Sequence, residues 1–336
     1  MSLNEGRFRI NDLMRADDEV LAASRGGIVA IGNFDGVHLG HQVVLRTATT
    51  LAIQNATALP TIAMTFEPHP RTVFKPDAPV FRLTPVDVKA RLSHALGLTG
   101  LVVVPFDRAF SQMSAAAFVE DILIGRLGAS HVVVGYDFHF GKGREGSPEF
   151  LMAMGKERGF GVSIVPAQRT DKGDLVFSSS TTREYLTKGN VKAANDILGY
   201  RYFVSGEVIH GEKRGRDLGY PTANMALAPD SQLKHGIYAV EMQVDGVVHQ
   251  GVASFGRRPT FDNGAPLLET FLFGFSGDLY GKTVEVIFTK FLRGEEKFDG
   301  LDALIAQMDI DSENAKAALA AAPPLSEIDR ALRTSC

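Results

Sequence analysis

The sequence predicts an α/β half followed by a β half: a doubly wound parallel sheet, then an antiparallel barrel with a C-terminal helix. In the first half, short runs that are apolar throughout alternate with longer amphipathic stretches, which is typical of parallel strands covered by helices on both faces. From about residue 200, apolar and polar residues alternate with a period of two, as in strands with one buried face. At 336 residues, the chain is long enough for two domains with separate cores.

Five apolar runs predict the strands of the first half, and four amphipathic stretches between them predict its helices. The strands are expected at 27–32, 61–66, 101–104, 131–135 and 161–165, and the helices near 39–55, 85–97, 114–126 and 147–158. The second helix should begin at Thr84 as N-cap, with Pro85 in the first turn and Asp87 in the third position. Because strands and helices alternate, right-handed crossovers should wind the sheet.

Period-two runs predict the strands of the second half. They lie at 202–209, 236–252, 267–275 and 283–291, and Asp245-Gly246 predicts a hairpin turn within the second of them. A helical tail is expected at roughly 299–321, and the stretch 185–199 is helical in pattern. We therefore predict a first domain over 1–185, a linker helix over 186–199 and a second domain over 200–336.

Composition and charge narrow the class of partner. A net charge of −4 and a pI near 6.2 argue against nucleic acid or an anionic membrane surface and favour a small-molecule ligand. The single cysteine, Cys336, excludes a disulfide framework and a multi-cysteine metal site. The polar N-terminus does not resemble a signal sequence, and no apolar run is long enough to span a membrane. A cytoplasmic protein is expected.

The motif GNFDGVHLGHQ, residues 32–42, stands where the first strand passes into the first helix. In an open parallel sheet, ligands bind outside the carboxyl ends of the strands, and a helix N-terminus there attracts phosphate. His38 and His41, three residues apart, should share a helical face and could donate hydrogen bonds to phosphoryl oxygens. A lone His-x-x-His pair is more often a packing or surface feature, and a zinc site would need a third clustered ligand.

Three further loops at predicted strand ends carry groups suited to phosphate. They are FEPHPR at 66–71, VGYDFHFGKGREG at 134–146 and FSSSTTRE at 177–184. Their glycines free the backbone, Lys142 and Arg144 are cationic, and the serines precede Arg183 at a helix start. Each loop alone is a weak signal, but four such loops at strand ends favour a nucleotide site.

The second half contains a separate set of candidate residues. GEKRGRDLGYPTANM at 211–225 combines glycines with Lys213, Arg214 and Arg216, near Lys234, and ends in a Pro-Thr-Ala-Asn segment expected to form a turn. The Thr222 hydroxyl and the Asn224 carbonyl, two residues apart, could both bind a magnesium ion that bridges ATP phosphates.

Glu269 lies in an otherwise apolar strand, where a carboxylate could accept a proton from an attacking hydroxyl, although a solvent-facing strand residue is the alternative. SGDLYGKT at 276–283 ends like a P-loop. It lacks the first glycine and precedes a strand-like run, so we reject that interpretation.

The four strand-end motifs of the first half resemble the nucleotidyltransferase module of the prokaryotic bifunctional riboflavin kinase/FAD synthetases. The resemblance implies that FMN phosphate attacks the α-phosphorus of ATP, with His38 and His41 steadying the α-phosphate and the leaving group. It further implies a set of nucleotide- and flavin-binding residues: Gly32, Asn33, Phe34, Asp35, Gly36, His69, Asp137, Ser179, Ser180 and Arg183, the last three holding the β and γ phosphates. Thr182 stands where the family usually has Ile, which predicts different packing.

GRDLGYPTAN, SFGRRPTF at 254–261, LETFLFGFSGDLYGK and FLRGEEKF resemble the riboflavin kinase module of the same family, a six-stranded antiparallel barrel. The resemblance implies Thr222 and Asn224 at the magnesium-ATP site and Glu269 as the general base for the ribityl 5′-hydroxyl. The other expected binding residues are Gly215, Arg216, Gly219, Pro221 and, near the flavin, Arg293. Phe271 and Gly274 stand where the family often has His and Asp, which predicts altered packing near the base.

We therefore expect a two-domain enzyme, a monomer or weak homo-oligomer, that makes FMN from riboflavin and FAD from FMN with ATP and Mg²⁺. Three alternatives stay open. The altered serine motif could leave a single-activity kinase. A tRNA- or pantetheine-type adenylyltransferase would lack the motifs of the second half. A non-catalytic flavin-binding or regulatory protein should lack Glu269 or the two histidines. The resemblance ends near residue 310 and does not explain the C-terminal residues.

Overall fold

The computed structural model describes residues 8–14, 21–54, 59–170, 173, 175–210, 220–257 and 266–334. The chain divides into two compact units, Met1–Ser179 and Ser180–Cys336.

A six-stranded parallel sheet forms the first unit, in the order β1-β4-β3-β2-β5-β6. The strands are β1 Arg9–Asp12, β2 Ile28–Ile31, β3 Thr61–Glu67, β4 Gly100–Pro105, β5 His131–Gly135 and β6 Gly161–Val165. The five predicted strands and the parallel sheet are confirmed. The edge strand β1 was not predicted, because its sequence, RIND, is polar and half exposed.

The helices of the first unit are α1 Leu39–Gln54, α2 Pro70–Phe74, α3 Val86–Ala95, α4 Ala115–Ala117, which continues as a π-helix over Phe118–Arg126, and α5 Pro148–Arg158. Short 3₁₀ turns cover Phe110–Gln112 and Lys142–Arg144. The four predicted helices are confirmed, whereas α2 was not predicted. Thr84 is not an N-cap: Pro85 takes that position, and the Thr84 hydroxyl bonds to another loop.

The sheet core explains why the strands read as continuous apolar runs. All four residues of β2 are buried, because helices cover both faces of the sheet. β2 pairs with β3 on one side and with β5 on the other. The loops that leave the carboxyl ends of these three central strands are therefore neighbours, at 32–38, 68–69 and 136–141.

The second unit is built on a closed antiparallel barrel in the order β10-β11-β8-β7-β12-β9. The strands are β7 Phe203–Ile209, β8 Thr222–Ala226, β9 Gly236–Val244, β10 Val247–Arg257, β11 Pro266–Leu272 and β12 Thr283–Arg293. The left-handed backbone of Asp245 and Gly246 (φ 48° and 80°) forms the predicted hairpin turn. The expected Pro-Thr-Ala-Asn turn is wrong, because Thr222 begins a strand that pairs with β11.

Four helices of the second unit are described: α6 Ser179–Thr187, which begins at the last residue of the first unit, α7 Val191–Leu198, α8 Leu301–Ala320 and α9 Glu327–Thr334. The predicted C-terminal helix is confirmed as α8. The single helix expected over 185–199 is interrupted at Gly189, whose φ of 77° is left-handed. Asn190 then caps α7, since its side chain accepts a hydrogen bond from the Ala193 N–H at 3.2 Å.

The C-terminal residues pack on the barrel through Arg201, which is 3% exposed. Its backbone N–H donates to Asp329 Oδ1 at 2.9 Å, and its Nη1 donates to Glu241 Oε2 at 3.2 Å. Its Nη2 donates to the carbonyls of Ala322 and Pro323, both at 2.7 Å. These contacts give the segment after α8 a structural role that the sequence did not indicate.

Asp329→Ala should lower the free energy of opening of the second unit by about 3 kcal/mol, because it removes the acceptor of a buried network. Hydrogen exchange with mass spectrometry on peptides from 200–334 measures this change. Asp196→Ala is the matched control, since Asp196 pairs with Lys192 on an exposed surface. Equal exchange rates in Asp329→Ala and the unaltered chain would contradict the account.

Candidate active sites

A cavity of about 800 Å³ opens at the carboxyl ends of β2, β3 and β5 in the first unit. Polar groups from all three strand ends line it, together with a serine after β6: Asn33, His41, His69, Asp137, Arg144 and Ser179. A concave site of this size at the centre of a parallel sheet is the usual place for a ligand. The structure thus brings together residues from the four loops that the sequence singled out.

The loop between β2 and α1 has an unusual backbone. Phe34, Gly36 and Val37 all lie in the left-handed region, with φ of 47°, 83° and 36°. Such a conformation costs energy for Phe and Val and requires support from neighbouring structure.

Asp35 provides that support. Its Oδ1 accepts hydrogen bonds from the N–H groups of Leu83 and Thr84, both at 3.0 Å, and the Gly36 N–H donates to Thr84 Oγ1 at 2.8 Å. The structure therefore directs Asp35 and Gly36 towards residues 83–84, while Gly32, Asn33 and Phe34 line the cavity.

The two histidines form a stacked pair at the start of α1. Their ring centroids are 3.7 Å apart with an interplanar angle of 20°, and the His41 N–H lies 3.3 Å from His38 Nδ1. His38 is 6% exposed, whereas His41 lines the cavity and meets Phe34 edge-on. The pair stands at a helix N-terminus, where N–H groups and imidazoles can both donate to an anion.

Two other lining residues are fixed by their own hydrogen bonds. His69 accepts from the Arg71 N–H through Nδ1 at 3.2 Å, which orients its ring at the start of α2. Ser179 donates to the carbonyl of Asp35 at 2.8 Å and so joins the segment after β6 to the loop after β2. Ser180 and Arg183 follow on α6 in the second unit. Thr182, which replaces the usual Ile, is fully buried.

One end of the cavity is aromatic, which sequence reasoning missed. The rings share edge-on, tilted or stacked contacts and belong to Phe66, Phe106, Phe110, Phe118, Phe138 and Phe140. Phe138 and Phe140 stack with centroids 5.4 Å apart. Such surfaces suit a flat ring system. The sequence feature that could have indicated this aromatic surface is the high phenylalanine content, 22 Phe with no Trp.

A second cavity, of about 370 Å³, lies in the barrel unit between strands β8, β10 and β11 and helix α8. Glu269 is in register with Asn224 on one side and with Ser254 on the other. Because side chains alternate along a strand, Thr222, Asn224 and Glu269 share one face of the sheet. Thr222 and Glu269 line the cavity.

The buried side-chain oxygen of Asn224, Oδ1, is the most informative atom of this face. The residue is 4% exposed, and among the described residues its Oδ1 has no hydrogen-bond partner. Burying a carbonyl oxygen without a partner costs free energy, so such an atom indicates a missing ligand. In the described part of the chain, no group of three or more His, Cys, Asp or Glu that could hold a metal ion is found.

Helix α8 closes the second cavity with two polar contacts that the sequence did not indicate. Arg293 binds Asp311 through three hydrogen bonds, Nε to Oδ1 at 2.9 Å and to Oδ2 at 3.2 Å, and Nη2 to Oδ2 at 2.7 Å, which raise the pKa of the guanidinium. Tyr220 donates to Asp309, and burial together with this hydrogen bond raises the pKa of Tyr220 to about 12. Arg293 thus lines the cavity paired with an acid, and its expected place near the flavin stays a prediction.

Phe271, the residue in place of the family's His, also lines this cavity and packs edge-on against Tyr220 at 4.8 Å. Pro221 is exposed just before β8. Gly215, Arg216 and Gly219 lie outside the described residues, so their expected roles stay predictions.

Comparison with known proteins identifies both halves. The FAD synthetase family matches residues 21–181, and the riboflavin kinase family matches residues 198–319. The chain belongs to the bifunctional riboflavin kinase/FMN adenylyltransferase family. It is 41% identical to the member from Listeria monocytogenes, over 86% of this chain and 91% of that one. It is 37% identical to the member from Escherichia coli strain K12, over 88% and 93%.

A solved structure described as the macrolide-efflux protein of Streptococcus pneumoniae shares the fold of this family member. It superposes with a TM-score of 0.78 at 31% identity, over 92% of this chain and 98% of that one. Among the helices described, none is both long and apolar enough to cross a membrane. The resemblance drawn from the sequence motifs is confirmed by the family matches.

Proposed function

We propose that the chain adenylylates FMN in the cavity at the sheet edge and phosphorylates riboflavin in the cavity beside the barrel, with ATP as co-substrate in both. The two reactions are those of the family to which the chain belongs. The assignment of sites is supported by the matched ranges: the lining of the first cavity falls within 21–181, and that of the second within 198–319. The expected domains, 1–185 and 200–336 with a linker over 186–199, stay a prediction.

The stacked histidines carry the proposal for FMN adenylylation. An FMN phosphate oxygen attacks the α-phosphorus of ATP, the bond to the β-phosphate breaks, and pyrophosphate leaves. Negative charge builds on the α-phosphate and the leaving group, where His41 and His38 at the N-terminus of α1 can donate hydrogen bonds. The buried Asn33 Oδ1 has no partner among the described residues and is an acceptor for a nucleotide N–H or O–H.

The aromatic end of the cavity is the proposed place of the flavin ring, because phenyl faces can pack on both of its sides. Asp137 also lines the cavity. Ser179, which donates to the Asp35 carbonyl, is a proposed partner of phosphate. The roles of Ser180 and Arg183 as partners of the β and γ phosphates stay predictions from the motif.

Glu269 is the proposed general base for riboflavin phosphorylation. It accepts the proton of the ribityl 5′-hydroxyl as that oxygen attacks the γ-phosphorus of ATP, and ADP leaves. Its carboxylate shares a strand face with Thr222 and Asn224, whose oxygens are the ligand type that Mg²⁺ prefers. The partnerless Asn224 Oδ1 fits such an ion. When bound, Mg²⁺ would offset charge on the ATP phosphates.

The family matches over both halves favour a bifunctional enzyme over a single-activity kinase, and the presence of the histidines and Glu269 disfavours a non-catalytic flavin-binding or regulatory protein. The motifs of the second half also disfavour a tRNA- or pantetheine-type adenylyltransferase. The cytoplasm, where ATP is made and thiols stay reduced, is the proposed location. A monomer or weak homo-oligomer is the proposed state.

His38→Ala and His41→Ala should each slow FAD formation from FMN by about 100- to 1,000-fold, because a donor to the charged transition state is lost. FMN formation from riboflavin should stay unchanged. Both rates are measured on the same preparation by chromatography of the flavins. His94→Ala, at an exposed position, is the matched control. Equal loss of both activities would contradict separate sites.

Glu269→Gln should slow FMN formation by about 100- to 10,000-fold, because the amide cannot accept the proton. Asn224→Ala should raise the Mg²⁺ concentration needed for half-maximal kinase rate, since it removes a proposed ligand. FAD formation from supplied FMN should persist in both. Glu207→Gln, on an exposed barrel position, is the control. Normal kinase rates in Glu269→Gln would exclude it as the base.

A further inference from the structure

The segment 82–89 contains the first residues of α3 and lies next to the loops of the FMN adenylylation cavity. Within the described chain, no residue of this segment lines that cavity. Several of them nevertheless bond to the loops that do. We call Arg82, Leu83, Thr84 and Lys89 the brace.

Lys89 is the central member of the brace. It is 2% exposed, and its ammonium donates to Glu67 Oε1 at 2.7 Å and to Thr65 Oγ1 at 3.2 Å. Lysine is almost never buried without a partner, because taking its charge out of water is costly. Methionine would fill similar space without that cost, so packing alone does not account for a lysine at this position.

The two partners of Lys89 are both residues of β3, and one of them bonds to the loop after β2. The Thr65 hydroxyl, which is fully buried, donates to the carbonyl of Asn33 at 2.9 Å. Glu67 ends β3, two residues before His69, and its second carboxylate oxygen lies 3.3 Å from Arg82. One ammonium therefore links the backbone of the loop after β2 to the end of β3.

The rest of the brace holds the same loop from a second point. Leu83 and Thr84 donate to the Asp35 carboxylate, as described above, and Thr84 accepts from Gly36. Asn33, which faces the cavity, and Asp35, which faces the brace, are thus both set by residues outside the cavity.

We propose that Lys89 is a positioning residue for FMN adenylylation, which acts through Thr65 on Asn33 and through Glu67 on His69. This inference rests on the proposed function of the cavity. Lys89 fixes the last residues of β3, which bond to the loop after β2 and lead into His69, so its loss shifts both Asn33 and His69. A misplacement of about 1 Å in such a site costs about 100-fold in rate.

The test compares steady-state kinetics of FMN adenylylation in variants of the full chain. Lys89→Met should lower kcat/KM about 100-fold and raise the KM for ATP. Thr65→Val keeps the side-chain volume without the hydroxyl and should have the same effect, whereas Thr65→Ser keeps the hydroxyl and should be close to the unaltered chain. The double variant Lys89→Met/Thr65→Val should be no worse than Lys89→Met alone.

Riboflavin phosphorylation by the same preparations measures the amount of intact second unit. Lys192→Met is the matched control, because Lys192 is an ion-paired lysine on an exposed surface. A merely structural role would lower the folded fraction and hence kcat, but would leave the KM for ATP unchanged. If Lys89→Met does not fold, the pair Thr65→Val and Thr65→Ser decides.

Two results separate the possible failures. An unchanged KM for ATP in Lys89→Met and Thr65→Val, or equal loss in Thr65→Ser and Thr65→Val, would overturn the positioning role. Persistent FAD formation in His38→Ala would instead overturn the assignment of the cavity, whatever the Lys89 variants do.

Discussion

The hydrogen bonds that Asp35 receives from Leu83 and Thr84 are the contacts on which the adenylylation site depends. They hold a loop in which Phe34 and Val37 adopt left-handed backbone, at a cost of about 1–3 kcal/mol each. Without that support, nothing in the local sequence would keep the loop in this conformation. The stacked histidines follow the loop directly, so its conformation decides where their rings stand.

The kinase site is built on a different principle. Barrel pairing alone places Asn224 opposite Glu269, because strand register is fixed once each strand has one buried face. Helix α8 covers this face of the barrel. The Arg293–Asp311 and Tyr220–Asp309 contacts hold the helix there. The adenylylation site thus depends on loops held by side-chain hydrogen bonds, whereas the kinase site depends on paired strands covered by a hydrogen-bonded helix.

The sequence predicted most of the fold because its strands follow two clear rules. Central parallel strands such as β2 are apolar on both faces, and in the barrel strands apolar residues alternate with polar ones along the sequence. β8 was mistaken for a turn, since Pro, Thr and Asn are typical turn residues and only pairing with β11 makes the segment extended. Residues that line the two cavities, such as His41 and Glu269, could be singled out in the sequence because phosphate and Mg²⁺ demand particular groups. The partners could not, because no spacing in the chain relates Lys89 to Thr65 or Arg293 to Asp311.

The central claim is that one chain holds two independent sites that act in sequence through free FMN. Its most direct test is to mix His38→Ala with Glu269→Gln and supply riboflavin, ATP and Mg²⁺. Either variant alone should make FAD from riboflavin only at its slowed rate, the first accumulating FMN and the second leaving most of the riboflavin unchanged. The mixture should make FAD, because FMN released by one chain is adenylylated by the other. A mixture that makes no FAD, while the unaltered chain does, would contradict the account.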